Sequence, residues 1–464
     1  MRIHFLGAAR TVTGSQYLLE INESKLLLEC GLFQGRRSET YKMNQNFMYD
    51  PSSLDAVILS HAHIDHSGNL PNLVKAGFNG PIYATPPTSE LARTMLLDSG
   101  HIQESDIVFV NKHRSRRGEP PLKPLYTMQD AVIVGGMFNE VVYNKSFTPI
   151  PNVTATFVDA GHILGSAAIV LDITDDNRKF RLWFSGDIGR WDLPLLRDPV
   201  LPSDAEYLIM ECTYGDKPHD NPQLAYDELK EAINRTADRG GKVIIPAFSV
   251  GRTQELVYLI NTMVQTDQIP SLPAYVDSPL AVNASDIFKR FPGYFDSETK
   301  EFTKTFQHPA LDFEKLTYTR SVEESKAINN DKNPAIIISA SGMAEAGRIL
   351  HHLRNNVENP ANTVLIVSWQ APHTLGRRLA DRNKEVKIFG MTYEVRAEIV
   401  TIGGLSAHAG QKMLVGYASN TKDSLKELFL VHGEQKSSDA LQNQLRKIGV
   451  TNITYPSLHQ VVDI

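Results

Sequence analysis

The chain has 464 residues, 42% hydrophobic and 22% charged, an ordinary balance for folded protein that excludes wholesale disorder. Its formal net charge of −6 excludes a nucleic-acid partner held by the field of the whole molecule, so such a partner needs a local basic patch. Two cysteines, Cys30 and Cys212, are too few for a disulfide framework and read as small buried apolar residues. No apolar run approaches the roughly 20 residues that cross a bilayer, and Met1–Gly7 begins as a strand without a signal-peptide core. A cytoplasmic protein of two or three domains, with no membrane partner, is expected.

Arg2–Leu6, Gln16–Ile21 and Lys25–Cys30 read as short strands with hairpin-like spacing, an antiparallel start to a sheet. Ala56-Val57-Ile58-Leu59 is short and β-branched, a buried strand. Directly after it comes Ser60-His61-Ala62-His63-Ile64-Asp65-His66-Ser67-Gly68. This segment sets His61, His63, Asp65 and His66 in a loop at the carboxyl end of a strand, where a rigid frame can hold a site open. Neutral imidazole and carboxylate are ligands that zinc favours.

A strand over 81–85 and a helix over Ser89–Leu97 follow. Residues 101–150 break the rhythm. There the basic run Asn111-Lys112-His113-Arg114-Ser115-Arg116-Arg117-Gly118 reads equally as a solvated loop and as a phosphate-contacting patch. Strands resume at Val153–Ala160, Ala167–Ile173, Phe180–Ser185 and Tyr207–Cys212. From about 213 to 390 strand and helix alternate, with a strand at Ala335–Ala340 and a helix at 344–356 among them. Such alternation predicts a mostly parallel sheet flanked by helices. After 392 strands dominate again. The simplest account is an α/β domain (1–212 and 392–464) into which a second α/β domain (213–391) is inserted.

The loop at 61–66 cannot complete two hydrolytic metal sites alone, since each ion takes about three protein ligands. His162, Asp187 and His432 recur in one setting, next to a glycine at the end of an apolar run. With His61, His63, Asp65 and His66 they make seven ligands, the number for a two-metal centre with a bridging carboxylate.

His61-x-His63-x-Asp65-His66, His162 and Asp187 resemble the hydrolase motifs of the metallo-β-lactamase fold. Met210–Gly215, Pro246–Glu255, Ser339–Met343, Leu405–His408 and Leu430–Gln435 look like its β-CASP branch of RNA-processing nucleases. That branch includes the endonuclease of the cleavage and polyadenylation specificity factor and its prokaryotic relatives. The resemblance implies an αββα sandwich with an inserted β-CASP domain. It implies two zinc ions per chain, one held by His61, His63 and His162, the other by Asp65, His66 and His432, with Asp187 bridging. Glu211 and His408 occupy the family's acid/base positions, and a histidine at 432 favours RNA over DNA. Relatives often carry aspartate where this chain has Glu29, which bears on support of the ligands rather than on ligation.

By the same resemblance the expected activity is endonucleolytic hydrolysis of single-stranded RNA. Two ions about 3.5–4 Å apart would activate a shared water, Asp65 would accept its proton, and His408, oriented by Glu211, would protonate the leaving ribose oxygen. The small-residue turn Ser341-Gly342-Met343, together with Arg252, Arg377 and Arg378, supplies candidate RNA-phosphate contacts. A metallo-hydrolase of small esters or thioesters and a catalytically silent RNA-binding subunit are the alternatives. A homodimer is left open.

Overall fold

Leucine and isoleucine runs at the N-terminus fold as antiparallel strands Arg2–Phe5, Tyr17–Ile21 and Ser24–Leu28 in a computed structural model that describes residues 1–464 except 36, 177 and 219–221, and the side chains of 37 and 38. Ala56–Ile58, Ile82–Ala84 and Phe138–Glu140 then join in parallel, and Gln460–Asp463 pairs with Arg2–Phe5 on the opposite side. A second seven-stranded sheet runs in spatial order Ile453–Thr454, Glu427–Val431, Tyr207–Glu211, Arg178–Phe184, Ala167–Asp175, Val153–Asp159 and Ser146–Ile150.

Alternation along these strands decides what each face meets. Phe157, Ile169, Leu171, Phe184 and Phe429 pack against Ile3, Phe5, Leu19, Leu26 and Ile58 of the first sheet, forming one buried core between the two. Their neighbours Val158, Val170, Trp183 and Leu208 face the other way, onto Met413, Leu414, Tyr417, Leu441 and Leu445 of helices Gln411–Ser419 and Gln435–Lys447. Trp183 Nε1 donates to the Tyr417 hydroxyl at 2.8 Å, so the one polar atom of that ring is satisfied in the core. Helices Leu70–Lys75, Pro86–Ser115 and Met128–Gly135 accompany the first sheet. This is the expected αββα sandwich.

The chain divides into two compact units: Met1–Trp191, Asp198–Pro218 and His408–Ile464 form one, Asp192–Arg197 and His219–Ala407 the other. In the second unit, strands Leu316–Tyr318, Ala274–Val276, Ile336–Ser339, Val243–Pro246, Thr363–Ile366 and Glu398–Thr401 lie side by side and all pair in parallel. Val243–Pro246 and Ile336–Ser339 are buried along their whole length, which is why they read as continuous apolar runs. Glu398–Thr401 belongs to this sheet, so the second unit extends past 391, to Ala407.

Two local readings need correction. The helix begun at 89 is far longer, Pro86–Ser115, and takes in most of the basic run read as loop or patch. Thr85 caps it by accepting from the Thr88 amide, prolines fill the first turn, and Leu91, Ala92, Met95 and Leu96 are buried. Beyond Gly100 no residue of the helix is fully buried, so no apolar period marks the extension. It is fastened instead by Asn111, which exchanges two hydrogen bonds with Leu122, and by Arg114, bonded to Pro120 O and Glu119. Lys112, His113 and Arg114 fall in the last turn, where the helix dipole favours cations. Second, the helix expected over 344–356 starts only at Ile349, because Ser341–Arg348 forms turns. Among the described residues no helix is long and apolar enough to cross a membrane.

Candidate metal centre

The strand Ala56–Ile58 delivers its chain into a loop and then a single helical turn, Ile64–Ser67, so Asp65 and His66 sit on a turn rather than in open loop. Backbone bonds fix that turn: Ser15 N donates to Asp65 O (2.8 Å), Cys30 N to His66 O (2.8 Å) and Leu32 N to Ile64 O (2.9 Å). His162 follows the strand ending at Asp159, Asp187 the strand ending at Phe184, and His432 the strand ending at Val431. All three follow strands of the second sheet that run in the same direction, with Ala167–Asp175 and Tyr207–Glu211 lying between them, which gathers residues scattered through the sequence at one end of the sandwich.

Two groups face each other across Asp187. His63 Nδ1 lies 3.1 Å from His61 Nε2 and 3.2 Å from His162 Nε2, and Asp187 Oδ2 lies 3.5 and 3.6 Å from the same two Nε2 atoms. On the other side Asp187 Oδ1 is 3.4 Å from His66 Nε2 and 3.5 Å from His432 Nδ1. His432 Nε2 is in turn 3.3 Å from His66 Nε2 and 3.5 Å from Asp65 Oδ2. The candidate ligand atoms within each group, His61/His63/His162/Asp187 and Asp65/His66/His432, lie within 4.8 Å of one another.

The charge states suit cations. Burial holds His61 and His162 well below the usual histidine range and pushes His63 down to about 4, so these rings are neutral and offer lone pairs. Burial works against ionising Asp187 and Asp65, but the histidines around them win: Asp187 stays well below the usual carboxylate range, and Asp65 falls to about 2. Asp187 Oδ1 is buried without a hydrogen-bond partner among the described residues. An ionised oxygen so placed is costly unless a cation satisfies it. Burial opposes a charge on His66 too, but Asp187, Glu29 and Asp65 outweigh it and hold that ring well above the usual histidine range, so a cation there would take the place of a proton. The neutral rings of His61, His63 and His162 and the ionised Asp65 and Asp187 fit a metal centre.

Residues behind the candidate ligands hold them in place. Glu29, fully buried, accepts from Ser60 N (2.6 Å) and Ser60 Oγ (3.0 Å), and its Oε2 lies 2.6 Å from His66 Nδ1. With Nδ1 held on Glu29, the ring turns Nε2 toward Asp187, the nitrogen that would bind a cation on giving up its proton. Ser60 Oγ also reaches His61 Nδ1 at 3.0 Å, and Thr213 Oγ1 reaches His432 Nδ1 at 3.1 Å. The sequence flagged Glu29 only as a departure and missed Ser60 and Thr213; Ser60 adjoins the motif, but its contact with Glu29 spans 31 positions.

Glu211 ends the strand Tyr207–Glu211 and is buried; its Oε1 accepts from Ile188 N at 2.7 Å and lies 3.2 Å from His408 Nδ1. His408 Nδ1 is 4.0 Å from Asp187 Oδ2. Burial opposes a charge on His408, but Glu211, Asp187 and Asp65 outweigh it and push the ring up to about 9.

The remaining candidates lie in the second unit. Ser341 Oγ accepts from the amides of Glu345 (3.1 Å) and Ala346 (3.3 Å), so its own hydroxyl occupies two of the donors offered for an anion. Gly342 O and Met343 O accept from Gln370 Nε2 and Gly376 N. Arg252 is buried against Glu255, and Arg377 pairs with Asp381 at 2.9 Å. Arg378 donates to His373 O, and its Nε is buried without a partner among the described residues.

A different buried cluster in this unit escaped the sequence reading. Asp277 Oδ1 accepts from Thr319 (2.5 Å) and Arg348 (2.6 Å), and Oδ2 from Ser325 (2.6 Å), with His352 Nε2 at 2.7 Å.

Three family descriptions match in chain order: the metallo-beta-lactamase superfamily over 9–143, the Beta-Casp domain over 253–379, and a Zn-dependent metallo-hydrolase RNA specificity domain over 392–456. The chain is 34% identical over 441 residues to ribonuclease TTHA0252 of Thermus thermophilus, covering 95% of each. It is 32% identical to transcription termination factor FttA of Pyrococcus abyssi and 29% to that of Methanosarcina mazei, covering 97% and 96% of this chain and 69% of each relative. A crystal structure of a protein of unknown function from Enterococcus faecalis V583 shares the fold, with a TM-score of 0.55 at 12% identity over 99% of both chains. Ligand-bearing motifs, sandwich, parallel-sheet unit and relatives agree: the chain belongs to the β-CASP branch of the metallo-β-lactamase superfamily.

Proposed function

We propose that this protein is a zinc-dependent endoribonuclease that hydrolyses phosphodiester bonds of single-stranded RNA. The observation that carries the reading is Asp187, whose two oxygens face two separate histidine groups at 3.4–3.6 Å. His61, His63 and His162 would hold one ion, Asp65, His66 and His432 the other, and Asp187 both. Such a pair, when bound, supplies a water nucleophile at neutral pH and a clamp on phosphate oxygens.

The chain's own groups do the rest. Asp65, ionised by its histidine neighbours, accepts the proton of the attacking water. His408, protonated through Glu211 at Nδ1, presents Nε2 as the donor to the leaving ribose oxygen. Glu211 is fixed by the Ile188 amide, so the imidazole orientation is set before substrate arrives. Ser341, Gly342, Met343 and Arg378 are proposed as phosphate contacts; Arg252 and Arg377 would first have to leave their ion pairs. RNA as substrate draws on the names of the relatives and on the RNA specificity description that matches 392–456.

The test is product mapping on a defined single-stranded RNA with metal-loaded, chelated and zinc-resupplied protein. Internal cleavage lost on chelation and restored by zinc is expected. Cleavage indifferent to chelation, or intact RNA alongside rapid hydrolysis of a small ester, would overturn the proposal.

A further inference from the structure

A cavity of about 250 Å³ in the first unit lies outside the histidine cluster and is used by nothing above. Among its walls are Gln16, Phe33, Lys42, Asn46, Phe47 and Tyr49. The Phe47 and Tyr49 rings stand 5.5 Å apart and tilted by 49°, so a flat ligand stacked on one meets the other at a slant. Polar groups interrupt this apolar lining at intervals. Tyr49 Oη donates to Gln16 Oε1 at 3.2 Å, and Gln16 spends one amide hydrogen on Gly31 O, leaving the second. Lys42 Nζ and the carbonyl oxygen of Asn46 have no side-chain partner among the described residues.

The walls are built rather than draped. Asn44, buried, exchanges hydrogen bonds with Phe33 N (2.7 Å) and Phe33 O (2.9 Å), and its own carbonyl accepts from Asn69 and Asn72. The Phe33 ring lies against Gly14, where a Cβ would come within 2.6 Å of it; Gly14, at φ +76°, is thus required twice over. The same segments carry the metal-centre turn: Ser15 N bonds Asp65 O, Gly31 N bonds Ser15 O, and Leu32 N bonds Ile64 O. Two walls of the cavity, Gln16 and Phe33, are therefore one residue away from groups hydrogen-bonded to the Ile64–Ser67 turn.

Stacking faces, amide edges and a cation together suit a nucleobase with its phosphate, and neither an aliphatic ligand nor an acidic side chain uses all three. We infer that this cavity receives one unstacked base of the RNA strand, at a fixed number of nucleotides from the scissile phosphate. Phe47 and Tyr49 stack on the base, Gln16 and Asn46 meet its edge, and Lys42 meets the adjoining phosphate. The inference rests on the RNA reading above and adds a specificity subsite to it.

The test needs no variant to begin with. A single abasic ribose is walked through a defined RNA, and cleavage by the metal-loaded protein is followed as kcat/KM. A drop of about tenfold at one position, fixed relative to the cut, is expected, the size of one base–aromatic stack. Phe47→Ala should show the same loss on intact RNA and no further loss when the abasic site stands at that position. A flat scan, or a Phe47→Ala loss that persists in full on the abasic strand, would overturn the subsite while leaving the nuclease reading standing. RNA left intact by the metal-loaded protein at every position would instead remove the nuclease reading, and the subsite with it.

Discussion

Two buried carboxylates, Asp187 and Asp277, are each surrounded by histidine and other polar groups, one in each compact unit, yet they do opposite work. Asp277 is saturated: Thr319, Ser325 and Arg348 all donate to it, His352 meets it at 2.7 Å, and every one of these groups belongs to its own unit. Among the described residues Asp187 has no such donors; its neighbours are histidine nitrogens at 3.4–3.6 Å, too far to be hydrogen bonds of ordinary length. A buried charge persists only where something compensates it. At Asp277 the fold supplies that compensation and the cluster is structural. At Asp187 only histidines, among the described residues, stand around the charge, and the proposal is that bound metal completes the compensation.

The sharpest way to break this comparison is to remove each carboxylate in turn. Asp187→Ala should lose bound zinc and bring RNA cleavage to background, with the fold intact by circular dichroism; full zinc occupancy in that variant would end the bridging role. His408→Ala should come next, cutting kcat by roughly 10²–10⁴, the usual contribution of a positioned general acid, while zinc measured by mass spectrometry stays at the wild-type level. Unchanged cleavage would remove His408 from the chemistry.

Asp277→Ala should do the reverse, leaving zinc content alone and destabilising the protein by about 3–5 kcal/mol in denaturant unfolding, because Arg348 loses its buried partner. pH separates the two sites further. Burial opposes ionisation of Asp277, but its four partners overcome this and depress its folded pKa far below the unfolded value of about 3.9. Its contribution to stability is therefore complete above that unfolded value and drains away as the pH falls toward the folded one. Asp277→Asn should flatten the acid limb of the stability profile; an unchanged limb would show that Asp277 does not carry it. The smallest effect is expected at Glu29→Gln, which weakens the aim of His66 and should lower zinc affinity about 10–100-fold in competition with a chelator.

That the residues of the candidate metal centre lie together was legible because its chemistry is written in residue types that sit at strand ends. His61, His63, Asp65 and His66 adjoin one strand, and His162, Asp187 and His432 each follow another, so pattern and position coincide. The alternating unit was legible for a similar reason: strands such as Val243–Pro246, buried on both faces, leave unbroken apolar runs. What stayed hidden depends on contacts that no local pattern encodes. Asp277 meets Arg348 and His352 across 71 and 75 positions, and in the sequence it is merely the acid of a strand-to-helix turn. The second half of Pro86–Ser115 has almost no apolar period, being fastened by Asn111 and Arg114 rather than by burial. Glu29 was noticed, but its grip on Ser60 and His66 came only with the fold.

Diffraction from zinc-soaked crystals, with anomalous data collected on either side of the zinc absorption edge, addresses the account at its root. It predicts two peaks per chain, one among His61, His63 and His162 and one among Asp65, His66 and His432, each within coordination distance of a different oxygen of Asp187. A single peak, or two peaks that leave either Asp187 oxygen without a metal neighbour, would contradict it.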